Sequence, residues 1–226
     1  MASITDLESA VERLFGPVPR PSGDPARALE QVEARLGWPI PRVLRDFVLR
    51  FGWGGPLTTA QETLLPPCSW RLQGGALASG VENQGVVLWG IAEADLVLED
   101  PPVRAAENRE PLAWVWDHDR LSDFFVTLAY WHGIVAAKFS VGNVGVAETT
   151  TPEERAKLEH RFGEIPLGPN RWGVRVFAGE DKWFLLQKTG RLTCLVVGPA
   201  NSDRVVQEFE RVRELTSIDF SFAERA

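Results

Sequence analysis

Apolar residues in this chain recur at helical spacing in six stretches and form short strand-like runs elsewhere, with glycine and proline between them. Over 4–15, Leu7, Val11 and Leu14 share one face, and Ser3 or Thr5 serves as the cap. Pro17, Pro19 and Pro21 predict an extended surface link over 16–24. Asp24 is placed to cap a second helix and Pro25 to open it, where a missing N–H is not needed. Leu29, Val32 and Leu36 form its apolar stripe, Glu30, Glu33 and Arg35 face away, and Gly37 suits the left-handed residue that ends it. After the extended turn Pro39-Ile40-Pro41, the residues Val43, Leu44, Phe47, Val48 and Phe51 mark the buried face of a third helix, closed by Gly52. Arg42, Arg45, Asp46 and Arg50 are left on its solvent side.

Repeated Gly and Pro make 52–80 a loop-rich segment with short strands around Leu64 and over 70–72. The continuous apolar run 86–91 predicts a central strand buried on both faces, and 112–116 a further strand. A helix starting at Asp119 or Ser122 turns Phe124, Phe125, Leu128 and Trp131 inward and stops at Gly133, before a strand over 134–141. Thr151-Pro152-Glu153-Glu154 opens another helix, with acids over the positive end of its dipole. Strands over 173–177, 182–187 and 191–197 follow with hairpin-length links, and a last helix over 202–215. Helices first, then strands joined by hairpins, read as α+β, with helices packed against a mostly antiparallel mixed sheet.

Three spacings in the first half carry more than fold class. They are Glu-x-x-Leu-Gly at 33–37, Phe-x-x-x-Phe-Gly at 47–52 after the two prolines, and Glu-Asn-Gln-Gly at 82–85 followed by Trp89. In this order they resemble the SUKH superfamily, the fold of the yeast cell-wall-assembly regulator and of many bacterial immunity proteins. The specific part of the resemblance covers about 24–140, with 141–226 read as a C-terminal extension of the same domain, so that 1–226 is one domain. The resemblance implies a protein that binds other proteins and does no chemistry. Its leading form is a cytosolic immunity protein that docks stoichiometrically on a toxin domain, commonly a nuclease, and blocks it. The alternative is a regulatory scaffold without a toxin partner, and a small hydrolase stands behind both.

Composition changes this picture at one place. Nine Trp and twelve Phe against one Tyr supply an aromatic core, with Trp53 and Trp70, in Gly/Pro-rich surroundings, expected to be the exposed ones. The net charge of −7 arises wholly in 82–123, which holds ten acids and three bases, while 1–81 holds eight of each and 124–226 thirteen of each. Such a field repels nucleic acid and suits a basic protein, including the groove of a nuclease; a solvated loop region that keeps the protein in solution is the other reading. Glu93, Asp95, Glu99, Asp100, Asp117 and Asp119 are therefore the candidate partner contacts, with Trp53 as an aromatic anchor.

Nothing in the sequence demands catalysis or a cofactor. His118 lies between Asp117 and Asp119, but adjacent residues in a strand point apart and no second histidine is near, so no metal is expected. His132 and His160 fall near helix C-termini, where a partly charged imidazole suits the dipole. Ser69, Ser79 and Ser140 sit in no Gly-x-Ser-x-Gly turn, and the glycine pairs precede no Gly-Lys-Ser/Thr. Cys68 and Cys194 lack metal-ligand spacing. With no signal peptide and no long apolar run, the chain reads as cytoplasmic with reduced thiols, a Cys68–Cys194 bridge being the lesser reading.

Overall fold

The computed structural model describes residues 4–18, 20–135, 143–147, 151–179, 182–189, 192–199, 211–212 and 214–216. Its contacts gather into two compact units, Met1–His132 with Gly168–Arg171, and Gly133–Leu167 with Trp172–Ala226. No linker in the sequence marks this division, which the contacts place at Gly133. Both units are α+β.

The first unit begins with α1 (Ile4–Phe15), α2 (Pro25–Leu36), α3 (Arg42–Phe51) and the short α4 (Pro56–Thr59). Strands β1 (Thr63–Leu64), β2 (Arg71–Gln73), β3 (Ala76–Val81), β4 (Val87–Ala92), β5 (Val103–Glu107) and β6 (Val115–His118) follow, then α5 (Leu121–Val135), which belongs to this unit as far as His132. All pairings are antiparallel, in the order β1-β3-β4-β5-β6, with β2 also on β3.

The helical hairpin forms for the reasons its residues suggest. Asp24 accepts the Arg27 N–H at 3.0 Å, and Gly37 closes α2 in the left-handed conformation at φ 75°. Glu33 is half-buried rather than free in solvent. It accepts the Ile40 N–H at 2.8 Å and pairs with Arg45, which locks the proline turn between the two helices. Burial raises the Glu33 pKa, but these two donors outweigh it and hold the carboxyl below its usual range.

The core lies between the hairpin and the sheet, and α5 fills it. Every residue of α5 from Leu121 to Tyr130 is buried, so this helix is enclosed on all sides rather than amphipathic. Phe125 stacks on Phe47 of α3 at 4.0 Å, and Phe124 reaches Trp89 of β4 at 5.9 Å. Each such ring withdraws roughly 150–250 Å² from water. β4 is the central strand the apolar run predicts, buried over Leu88–Ile91. Trp70, by contrast, is buried and donates its indole N–H to the Leu65 carbonyl at 2.7 Å, while Trp38 and Trp116 are the more exposed indoles. The expectation of an exposed Trp70 fails because the Gly/Pro-rich segment around it folds into β2, β3 and the turn Pro67–Ser69.

The second unit contains β7 (Asn143–Ala147), α6 (Pro152–Phe162), β8 (Glu164–Ile165), β9 (Arg175–Gly179), β10 (Lys182–Thr189) and β11 (Leu192–Pro199), with sheet order β7-β11-β10-β9-β8. Thr151 and Glu154 cap α6 reciprocally, as their spacing predicts. Leu158 and Phe162 of α6 and Val174, Val176 and Phe177 beside it are buried. Arg175 donates to Glu164 in a bidentate pair and to Glu159 at 2.6 Å; the hydrogen bond it donates to the Glu164 carboxylate, against some desolvation, raises its pKa.

The strand expected over 112–116 forms over Val115–His118, and two helix boundaries also differ from the sequence reading. The helix expected to stop at Gly133 continues to Val135, so 134–135 are helical, and the rest of the expected strand at 134–141 lies outside the described residues. Of the last expected helix, 211–212 and 214–215 are helical and 202–210 lie outside the described residues. No described helix is long and apolar enough to cross a membrane.

Candidate protein-docking surface

The acidic residues gather because of how β4, β5 and β6 are joined. Residues 93–102 link the end of β4 to the start of β5, and the β5–β6 register sets Val103 opposite His118. The ends of β4 and β6 and the start of β5 therefore lie together, and with them Glu93, Asp95, Glu99, Asp100, Asp117 and Asp119. The start of α3 is also here, since Val43 donates its N–H to the Glu99 carbonyl at 3.0 Å.

The acids at this end are not equivalent. Glu93 is exposed, and Glu99 is exposed with Arg42 at 3.5 Å. Asp95 is half-buried, with Arg104 at 3.7 Å. Asp119 is exposed and accepts the Trp116 indole N–H at 2.8 Å. Asp100 holds the start of α5 in place. Its carboxylate accepts the Ser122 N–H at 2.9 Å and the Ser122 hydroxyl at 2.6 Å, where the helix dipole favours negative charge. Replacing Asp100 with Ala is expected to lower stability by about 1–2 kcal/mol, read as a shift in the urea midpoint.

Asp117 is a correction to the expected contact set. It is fully buried, so its carboxylate is beyond a partner's reach. The expectation that Asp117 and His118 point apart also fails. Register passes from Val103–His118 to Arg104–Trp116 and skips Asp117, making it the extra residue of a β-bulge. Alternation breaks there, both side chains turn inward, and His118 Nδ1 meets Asp117 Oδ2 at 2.7 Å. Among the described residues the outer atoms Asp117 Oδ1 and His118 Nε2 have no hydrogen-bond partner. His118 is 1% exposed and packs edge-on against Phe124, so this pair is closed to substrate.

Trp53 is also separate from the acidic end. It follows the C-terminus of α3, whereas the N-terminus of that helix meets Glu99; ten residues of helix span roughly 15 Å. Half-buried, it borders a void of about 10 Å³ with Leu44, Phe47 and Trp70, no more than a water-sized gap. That place is a packing role rather than an anchor role.

Three residues missed by the sequence reading complete the surface. Val97 is 69% exposed, Leu98 44% and Trp116 38%, all at the same end of the sheet as the exposed acids. The available signal was an apolar pair interrupting an acidic segment between two strands, where neither helical nor strand spacing explains it. The result is apolar area among Glu93, Glu99 and Asp119, tempered by Arg42, Arg104 and Arg120.

His132 stands in another environment, and the expected helix-terminal charge is absent. Completely buried, its Nε2 accepts the Glu62 N–H at 3.0 Å, so the proton sits on Nδ1 and is donated to the Leu57 carbonyl at 3.0 Å. Burial depresses its pKa to about 4, against the opposing effect of the Leu57 and Pro56 backbone acceptors. Glu62, also buried, accepts the Asn83 N–H at 2.8 Å and the Trp131 indole N–H at 3.2 Å; burial raises its carboxyl above the usual range despite these donors. Cys68 is exposed and free. Among the described residues no group of three or more His, Cys, Asp or Glu is placed to hold a metal. Compared with known proteins, the chain matches no family model, no curated protein and no solved structure.

Proposed function

We propose that this chain acts by binding a basic protein through the end of the first unit's sheet formed by 93–100 and 116–119. One observation carries the reading: Val97, Leu98 and Trp116 are exposed together with Glu93, Glu99 and Asp119. An apolar centre with a charged rim is the usual anatomy of a protein interface, and a single-sign rim selects an oppositely charged partner and speeds its approach. The enclosure of His118 supports binding over hydrolysis, since its open nitrogen meets no solvent. The spacings resembling the SUKH superfamily support a toxin domain, of nuclease type, as the partner, and inhibition by occupancy as the mechanism.

The test is an exchange of Glu93, Glu99 and Asp119 for Lys, with Val97→Ala and Leu98→Ala as a second variant. The probe is the C-terminal domain of a toxin encoded beside this chain, with binding measured by calorimetry. Each variant is expected to lose about 2 kcal/mol or more of binding while the unfolding midpoint stays within about 0.5 kcal/mol of the parent. Asp95 and Asp100 are left unchanged because they pair with Arg104 and cap α5. Undiminished binding by both variants sinks the assignment of this surface.

A further inference from the structure

At the Glu107–Val115 end of the β5–β6 pair lies an open surface cleft of about 520 Å³, lined by the exposed residues Glu107, Arg109, Glu110, Val115 and Arg171 with neighbouring small residues. Its size falls within the range of about 300–1,000 Å³ common for small-molecule sites. The two arginines line it from segments far apart in sequence, and among the described residues neither forms an ion pair. Their backbones are held. Arg109 donates its N–H to the Glu107 carbonyl at 2.7 Å, and the adjoining Asn108 is tied to the β3–β4 turn through the Val86 and Gly85 carbonyls, each at 2.9 Å. Arg171 donates its N–H to the Asp117 carbonyl at 2.8 Å, at the edge of β6, where Asn170 bridges to His118.

The charges on the wall decide the class of ligand. Two guanidinia invite an anion, but Glu107 and Glu110 repel it; the same two carboxylates invite a cation that the guanidinia repel. A molecule carrying both signs on one short frame satisfies all four groups at once, the carboxylate at the arginines and the ammonium at the glutamates. We propose that this cleft is a binding site for a small zwitterion, a free amino acid or a dipeptide.

Glycylglycine and L-glutamine are the probes, with succinate and putrescine as single-sign controls, and backbone amide shifts of Arg109, Val115 and Arg171 as the readout on the full chain. The expected result is a saturable shift with the zwitterions that weakens about tenfold both in Arg109→Gln/Arg171→Gln and in Glu107→Gln/Glu110→Gln. The four side chains are at the surface, and unchanged unfolding midpoints will show that the variants fold. If the glutamate exchange instead tightens binding and succinate saturates the site as well, the cleft takes anions and the proposal is overturned. Absence of a saturable shift with either zwitterion overturns it too.

Discussion

His132→Ala is expected to destabilise the first unit by roughly 3–5 kcal/mol at pH 7, because the imidazole is the partner of two buried backbone groups. Truncation leaves the Leu57 carbonyl and the Glu62 N–H unpaired in an environment without water, and opens a cavity where the ring stood. The pH dependence separates this account from simple loss of packing. His132 titrates near 6.5 when unfolded and at about 4 when folded, so below pH 6.5 the unfolded chain holds more protons than the folded one. Stability from this group is therefore intact above about pH 6.5 and falls as pH drops towards 4, by about 3 kcal/mol in all. Glu62 acts in the opposite sense. Its folded pKa is raised, so its protonated form favours the folded state and returns some stability as pH falls through its range. Urea titrations of parent and His132→Ala at pH 7, 5 and 4 should show the gap between them shrinking with acid. A gap that is the same at all three values would mean that His132 is not held neutral.

The second large effect is expected at Gly90. A Cβ there would lie 2.6 Å from the Leu77 carbonyl oxygen and 3.1 Å from the Trp114 ring, so Gly90→Ala must push apart two central strands. A loss on the order of 3 kcal/mol is expected, since the obstructing atom is backbone rather than a movable side-chain end. Gly80 provides the control within the same sheet. A Cβ at Gly80 meets only ordinary contacts, the nearest at 3.5 Å, and Gly80→Ala should be neutral or stabilise by up to about 1 kcal/mol through the unfolded chain. Equal urea midpoints for the two alanine variants would refute the close approach.

Gly90 also shows why part of the fold escaped the sequence reading. β3 reads Ala-Leu-Ala-Ser-Gly-Val and β5 reads Val-Arg-Ala-Ala-Glu, sequences poor in the branched and aromatic residues that favour strands. Their small side chains fit because Trp89 on β4 occupies the space between them, a fact of pairing and not of local preference. The helices were legible for the converse reason. Asp24, Gly37, Gly52 and Thr151 act within a turn of their own positions, so their effect on the backbone is local. Gly133 was misleading because burial of α5 outweighs the roughly 1 kcal/mol by which glycine disfavours a helix.

The surface divides in the same way. The sequence alone determined that the negative excess belongs to 82–123, because charge is a property of residues, and that helices come first with hairpin-joined strands after them, because periodicity is local. Only the tertiary structure decided which carboxylates face water. Asp117 went inward through a bulge, Asp100 was drawn onto the start of α5, and Val97, Leu98 and Trp116 came out beside Glu93, Glu99 and Asp119. Exposure depends on which strands become neighbours and in what register, and those are contacts between residues distant in the chain.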